Sequence, residues 1–164
     1  MKKIVVLSDT HIPERAKDLP ERIYGDLKSA DIVLHAGDVT SLEFFKKLQK
    51  NSAFKVKAVQ GNMDEPDLRK ILPRKQLIKI DKFSIGLIHG WGSPFGLIEQ
   101  VEGEFLEEKP DVIVFGHSHR PLNVHKEGIL FFNPGSPTDK IFSSANSYGI
   151  ITIDDEIHAK IIKV

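Results

Sequence analysis

The chain has 164 residues, 40% of them hydrophobic and 28% charged, enough for one domain with a sizeable core and too few for two ordinary ones. Lys plus Arg equals Asp plus Glu at 23 each, so no global basic field is available to hold a nucleic acid by its phosphates, and nucleic acid is not an expected partner. No apolar run is long enough to span a bilayer, and cysteine is absent, which excludes disulfides and leaves only nitrogen and oxygen donors for any metal.

The N-terminus, MKKIVVLSDTH, pairs a charged start with an apolar segment too short for a signal peptide and without a small-residue cleavage site. It reads as a first strand, Ile4–Leu7, and the cytoplasm is the expected location. A helical pattern around Pro20–Ser29 precedes a second strand, Ile32–Ala36. A helix from about Ser41 to Lys50 follows, with Thr40 and Glu43 at capping-box spacing and Leu42, Phe45 and Leu48 on one face. Phe54–Val59 reads as a third strand. This βαβαβ order implies a parallel sheet whose ligands, if any, sit at the carboxyl ends of its strands.

The second half is richer in strands. Gln76–Ile80 and Phe83–Ile88 form a hairpin across Asp81-Lys82, and a helix over Leu97–Glu108 leads to the strand Val112–Phe115. Asn123–His125, Ile129–Phe132, Tyr148–Ile153 and Ile157–Val164 follow, with Asp154-Asp155 as the last turn. So many strands in so short a chain predict an α/β fold of two sheets packed face to face with helices outside, in a single domain over residues 1–164.

The strand ends form a series. Ile4–Leu7 runs into Asp9 and His11, Ile32–Ala36 into Gly37-Asp38, and Phe54–Val59 into Gly61-Asn62-Met63-Asp64. Phe83–Ile88 runs into His89-Gly90, and Val112–Phe115 into Gly116-His117-Ser118-His119. Each piece alone is weak: Gly-Asp and Gly-Asn are usually turns, and a lone histidine is usually a satisfied core residue. Chance does not readily place ligand-type residues at the same end of five consecutive strands, and a pair of metal ions is the economical explanation.

The ordered set D-x-H, G-D, G-N-x-D, H, G-H-x-H resembles the calcineurin-like metallophosphoesterase pattern. The resemblance covers Met1 to about Ser136, and the chain's length and Asn133-Pro134-Gly135-Ser136 resemble the small bacterial and archaeal phosphodiesterase branch. It implies a four-layer αββα sandwich of two mixed β-sheets flanked by helices. It also implies two divalent cations, one held by Asp9, His11 and His119, the other by Asn62, His89 and His117, with Asp38 bridging both. Mn²⁺ is the first candidate, with Ni²⁺, Fe²⁺, Co²⁺ and Zn²⁺ behind it. The implied activity is hydrolysis of phosphate esters, above all diesters, by a metal-bridging hydroxide, with Asp38 and Asn62 as the catalytic residues and Asn62 also donating to the phosphate. Relatives imply a homo-oligomer, a dimer or tetramer, and a small phosphate ester as the partner.

The sequence departs from the pattern twice. Where many relatives carry a histidine that protonates the leaving oxygen, this chain has Met63, which predicts a preference for acidic leaving groups. Asp64, deprived of that partner, is left to cap a turn. Where many relatives have His-Gly-His, the chain has His89-Gly90-Trp91; Trp91 either stacks on a base or aryl group of the substrate or packs against protein. Arg120 either reaches the phosphate or forms a structural ion pair. His35, inside VLHAG, reads as a buried structural histidine, His125 and His158 as surface residues, and Glu102, Glu104, Glu107 and Glu108 as a solvated helix face. Two other functions compete: a non-catalytic interaction scaffold of the same fold, and a phosphomonoesterase or nuclease. The loops Ile12–Leu19, Met63–Pro73 and Trp91–Gly96 carry no substrate signature.

Overall fold

The computed structural model describes all 164 residues, Met1–Val164. The first sheet contains β1 (Lys2–Leu7), β2 (Ile32–His35) and β3 (Val56–Ala58) in parallel, extended on the other side of β1 by the antiparallel β9 (Ser147–Ile153) and β10 (Ile157–Lys163). In the second sheet β5 (Phe83–Ile88), β6 (Val112–Val114) and β8 (Ile129–Asn133) run parallel, with β4 (Lys75–Ile80) and β7 (Leu122–Lys126) antiparallel at the edges. Helices α1 (Glu21–Ser29) and α2 (Leu42–Asn51) cover one outer face and α4 (Leu97–Gly103) the other. These are the expected two mixed sheets flanked by helices.

Alternation along the strands builds the layers. In β1, Ile4 and Val6 point into the core between the sheets, where they meet Leu34, Ile85, Val112, Val114 and Phe132, while Val5 and Leu7 point outward to Ile23, Leu27, Phe45 and Leu48 of the helices. Strands buried on both faces read as unbroken apolar runs, which is why IVVL and VIV carry no polar residue. On the far side Phe105 packs with Val101 and Ile113 and lies over Gly86, whose missing side chain leaves room for the ring: a Cβ there would sit 2.9 Å from it.

Five expectations are corrected. The N-cap of α2 is Ser41, whose hydroxyl accepts from Phe44 N at 3.1 Å, not Thr40. Thr40 instead takes a left-handed φ of 86°, and its buried hydroxyl has no hydrogen-bond partner. The third strand starts at Val56 because Ala53 and Phe54 (φ 51° and 61°) form the turn closing α2, with Phe54 N bonded to Gln49 O. The segment Met63–Pro73, expected as a loop, contains a short helix α3 (Pro66–Ile71), with Pro at its start, Asp67 in its first turn and Arg69 and Lys70 in its last. Finally, α4 ends at Gly103, and Glu104–Glu108 continue in turns that let Phe105 reach the sheet. Glu102 and Glu108 there are not merely solvated: they pair with Lys126 at 2.9 Å and Lys75 at 3.1 Å.

Ser41→Ala is expected to cost about 1 kcal/mol in chemical denaturation, as loss of an N-cap does. Thr40→Ala, which removes a hydroxyl bonded to nothing, is expected to cost less; the opposite order would restore Thr40 as the cap.

Candidate metal centre

The polar residues after β1, β2, β3, β5 and β6 all lie at one end of the sandwich, where the two sheets meet. Asp9, His11, Asp38, His117 and His119 each hold a left-handed φ, between 43° and 68°. Asp and His tolerate this region better than most side chains, but each such residue still costs on the order of 1 kcal/mol, so the loops must be held from outside. Backbone bonds do part of this. Asp9 N donates to Gly37 O, His11 N to Asp38 O, and Gly116 N to His89 O, all at 3.0–3.1 Å. The sheets are also tied to each other: His117 N donates to Asp9 Oδ2 at 3.0 Å, and His89 Nδ1 to Ala36 O at 2.7 Å. Two glycines make the approach possible. A Cβ on Gly61 would lie 2.1 Å from Asp38 Oδ1, and one on Gly116 would lie 1.8 Å from Ser8 Oγ.

The donors converge. Asp9, Asp38, His11, His89 and His119 are all buried, at 0–7% exposure. Asp9, His11 and His119 form one group of ligand atoms, and Asp9, Asp38 and His89 a second. His119 Nε2 is 3.3 Å from Asp9 Oδ1 and 3.2 Å from His11 Nε2, and His89 Nε2 is 3.3 Å from Asp38 Oδ2. Asp38 Oδ2 also lies 3.6 Å from His11 Nε2, so this carboxylate stands between the two imidazole sets. Donors sharing a cation through bonds of ~2.1 Å stand about 3–3.5 Å apart, which matches these spacings.

Proton bookkeeping tests whether the residues fit a metal. His89 Nδ1 donates to Ala36 O, so in the neutral ring Nε2 carries a lone pair, facing Asp38 Oδ2 and, at 3.2 Å, Asn62 Oδ1. His119 Nδ1 donates to Asp139 Oδ2 at 2.6 Å, so its Nε2 lone pair faces Asp9 Oδ1. With both rings neutral, acceptors face acceptors at both places, an arrangement relieved by positive charge between them, whether a metal ion or a proton on Nε2. The residues fit the group that the sequence pattern implies. The shifts of their acidities point the same way. Burial acts against the charged form of every one of them, yet hydrogen bonds and charges from Asp38 and Asp9 push His89 up to about 9, and Asp9 and Asp139 raise His119. Burial is likewise overcome at Asp9, held below the usual carboxylate range by the His119 hydrogen bond and by His89, and at Asp38, drawn down to about 2 by His89.

Asn62 and His117 stand at the mouth of the site. Asn62 is exposed, with Oδ1 turned to His89. His117 is half-buried and outside both groups, its ring edge-on to His89 at 5.3 Å. Its Nε2 donates to Gly92 O at 2.8 Å, so Nδ1 is the nitrogen left for a cation. Trp91, 41% exposed, borders a cleft beside Asn62 and His89. Arg120 makes no ion pair; its side chain lines a different groove, with Phe95 and Leu122. His35 is buried as expected, with Nε2 3.1 Å from the Thr10 hydroxyl and its acidity driven to about 3 by burial; His125 and His158 are exposed.

Sequence reasoning missed Asp139 and Arg69. Asp139 is fully buried, orients His119, and is fixed in turn by Ile141 N and Phe142 N. Its only signal is an acid in the loop SPTD, indistinguishable from an ordinary turn. Arg69 donates to Asp64 O at 2.7 Å and to Asn62 O at 2.5 Å, clamping the Asn62 loop from α3, the helix that was not anticipated. Asp64 does cap its turn, accepting from Gly61 N at 2.6 Å and Thr40 N at 2.7 Å. Losing a carboxylate that orients a metal-binding imidazole typically costs 10–100-fold in affinity. Asp139→Asn is therefore expected to weaken Mn²⁺ binding by about that factor in calorimetric titration while the fold is kept; unchanged affinity would show that the Asp139 carboxylate does not tune a metal-binding imidazole.

Comparison with known proteins places this geometry. The model of the calcineurin-like phosphoesterase superfamily domain matches residues 1–156. A probable metallophosphoesterase of Methanothermobacter thermautotrophicus is 38% identical over 161 residues, covering 98% of this chain and 91% of that protein. The solution structure of Thermotoga maritima protein TM1076 is 35% identical, with full coverage of both chains and a TM-score of 0.79. At lower identity the fold is shared with Chaetomium thermophilum Vps29 (23%, covering 99% and 95%, TM-score 0.81) and with an archaeal phosphodiesterase (23%, covering 98% and 99%, TM-score 0.74). With the family model spanning nearly its whole length, the chain belongs to the calcineurin-like phosphoesterase superfamily.

Proposed function

We propose that this metallophosphoesterase is a phosphodiesterase that works with two divalent cations. Asp9, His11 and His119 would hold one, Asn62, His89 and His117 the other, and Asp38 would be shared. The observation carrying this reading is the convergence of buried nitrogen and oxygen donors at the seam of the sheets. With nitrogen and oxygen donors alone, Mn²⁺ is the first candidate and Ni²⁺, Fe²⁺, Co²⁺ and Zn²⁺ follow. Bound there, two divalent cations supply a water acidified toward neutral pH and positive charge against the phosphate oxygens.

The chain's own groups set the rest. Met63 N donates to Asp38 Oδ1 at 2.7 Å, which fixes the carboxylate with Oδ2 toward His11 and His89. Asn62 Oδ1 faces the same ring, so its amide Nδ2 is left to donate to a phosphate oxygen, on a loop held by Arg69. Water loses one proton to solvent as its oxygen bonds to phosphorus, the ester P–O bond breaks, the leaving oxygen takes the electron pair, and the second water proton stays on the new phosphate oxygen until solvent removes it. The side chain nearest that role, Met63, is 56% exposed and has no proton to give. Esters whose leaving group is stable as an anion are therefore favoured, and Trp91 offers an aryl or base group a flat face at the rim.

A screen of mono- and diesters against metal-stripped and metal-loaded protein tests this. Bis(p-nitrophenyl) phosphate should turn over only with metal and faster than alkyl monoesters. Asp38→Asn should lower kcat by about 100-fold or more and reduce bound metal. A loaded protein that binds metal but turns over no ester would be a scaffold instead. Met63→His should raise kcat on alkyl esters by about 10-fold or more, since a positioned acid contributes at least that; no gain would show that another acid already acts.

A further inference from the structure

A cleft of about 200 Å³ opens beside Asn62 and His89, bounded by Trp91 and by Arg69, Arg74, Lys75 and Glu104. Its three cations are not equivalent. Arg69 is committed to the carbonyls of Asn62 and Asp64. Lys75 is bonded to Glu104 O at 2.5 Å and to the Glu108 carboxylate at 3.1 Å, with its ammonium over the Phe105 ring. Arg74 is exposed and engages no side-chain or backbone partner, and Glu104 is the one acid on the wall. A guanidinium held free in a cleft that runs up to the candidate metal ligands keeps its fork of donors for something outside the protein.

We propose that Arg74 makes this cleft a second anion subsite, so that the preferred substrate is a phosphodiester carrying a further phosphate on the ester arm that lies against Trp91, as a phosphorylated nucleotide ester does. The inference rests on the two-cation reading of the site. The shape agrees with it: room for a phosphate and a few waters of ~30 Å³ each, with an indole face on the way. The chemistry agrees as well, because a guanidinium binds phosphate bidentately and the two cations of the proposed site would hold the scissile group.

The test uses Mn²⁺-loaded protein and the p-nitrophenyl ester of thymidine 5′-phosphate, with and without a 3′-phosphate. Wild-type protein should favour the 3′-phosphorylated ester about 10-fold in kcat/KM, roughly the worth of one charge-assisted hydrogen bond pair. Arg74→Gln should bring that ratio close to one, Arg74→Glu should invert it, and Arg74→Lys should restore part of it. A wild-type ratio of one or less, or a ratio unmoved by Arg74→Gln and Arg74→Glu, overturns the subsite while leaving hydrolysis of bis(p-nitrophenyl) phosphate intact. Failure of the wild type to hydrolyse bis(p-nitrophenyl) phosphate overturns the phosphodiesterase reading, and the subsite with it.

Discussion

Two carboxylates, Asp9 and Asp38, are shut between the ends of two sheets with almost no access to water. A buried charge without compensation is costly, and here nothing within the protein fully supplies the compensation: no lysine or arginine reaches either group, only imidazoles. The surroundings follow from that constraint. Ser8 Oγ donates to Asp9 Oδ2 at 2.6 Å, and the backbone amides of His117 and Met63 donate to Asp9 and Asp38. His89 and His119 have their other ring nitrogens fixed by Ala36 O and Asp139, so that Nε2 of each is turned toward the carboxylates. The site is organised around positive charge that must come from outside.

The loop after β8 shows how much of the chain serves this end. Asn133 Nδ2 donates to Gly116 O, Ser136 Oγ to Asp9 O, and Thr138 Oγ1 to Thr10 O, at 2.6–2.9 Å. Three residues from a single segment thus pin the backbones of the β1 and β6 loops, and Asp139 then orients a ring. Asn133-Pro134-Gly135-Ser136, read from the sequence only as a family likeness, is a bracket for loops that carry candidate ligands.

The fold and most of the donor set were legible because both rest on short-range rules. Apolar runs such as IVVL and VIV mark strands buried on both faces, and the polar residue that follows each run sits where a parallel sheet presents its ligands. Errors fell where two rules competed. Thr40 and Ser41 are both cap residues, and sequence alone does not show that the left-handed turn at Thr40 hands the role to its neighbour. The start EPDLRK had the Pro, the acid and the bases of a helix, but its six residues are too few to show a period. Asp139 and Arg69 were invisible for another reason: each acts through one contact, Asp139 with His119 across the β7–β8 hairpin and Arg69 with the Asn62 carbonyl across a turn, that no local pattern encodes. Arg120, next to His119 in sequence, lines a separate groove with Phe95 and Leu122.

The ligand loops belong to different sheets, so the gap between them is fixed by what fills the sandwich. Ile4, Val6, Leu34, Ile85, Val112 and Phe132 offer no ligand atom, yet they fill the space that separates Asp9 and Asp38 from His89 and His117. The interior acts as a shim: its thickness sets the spacing between candidate donors carried by opposite sheets.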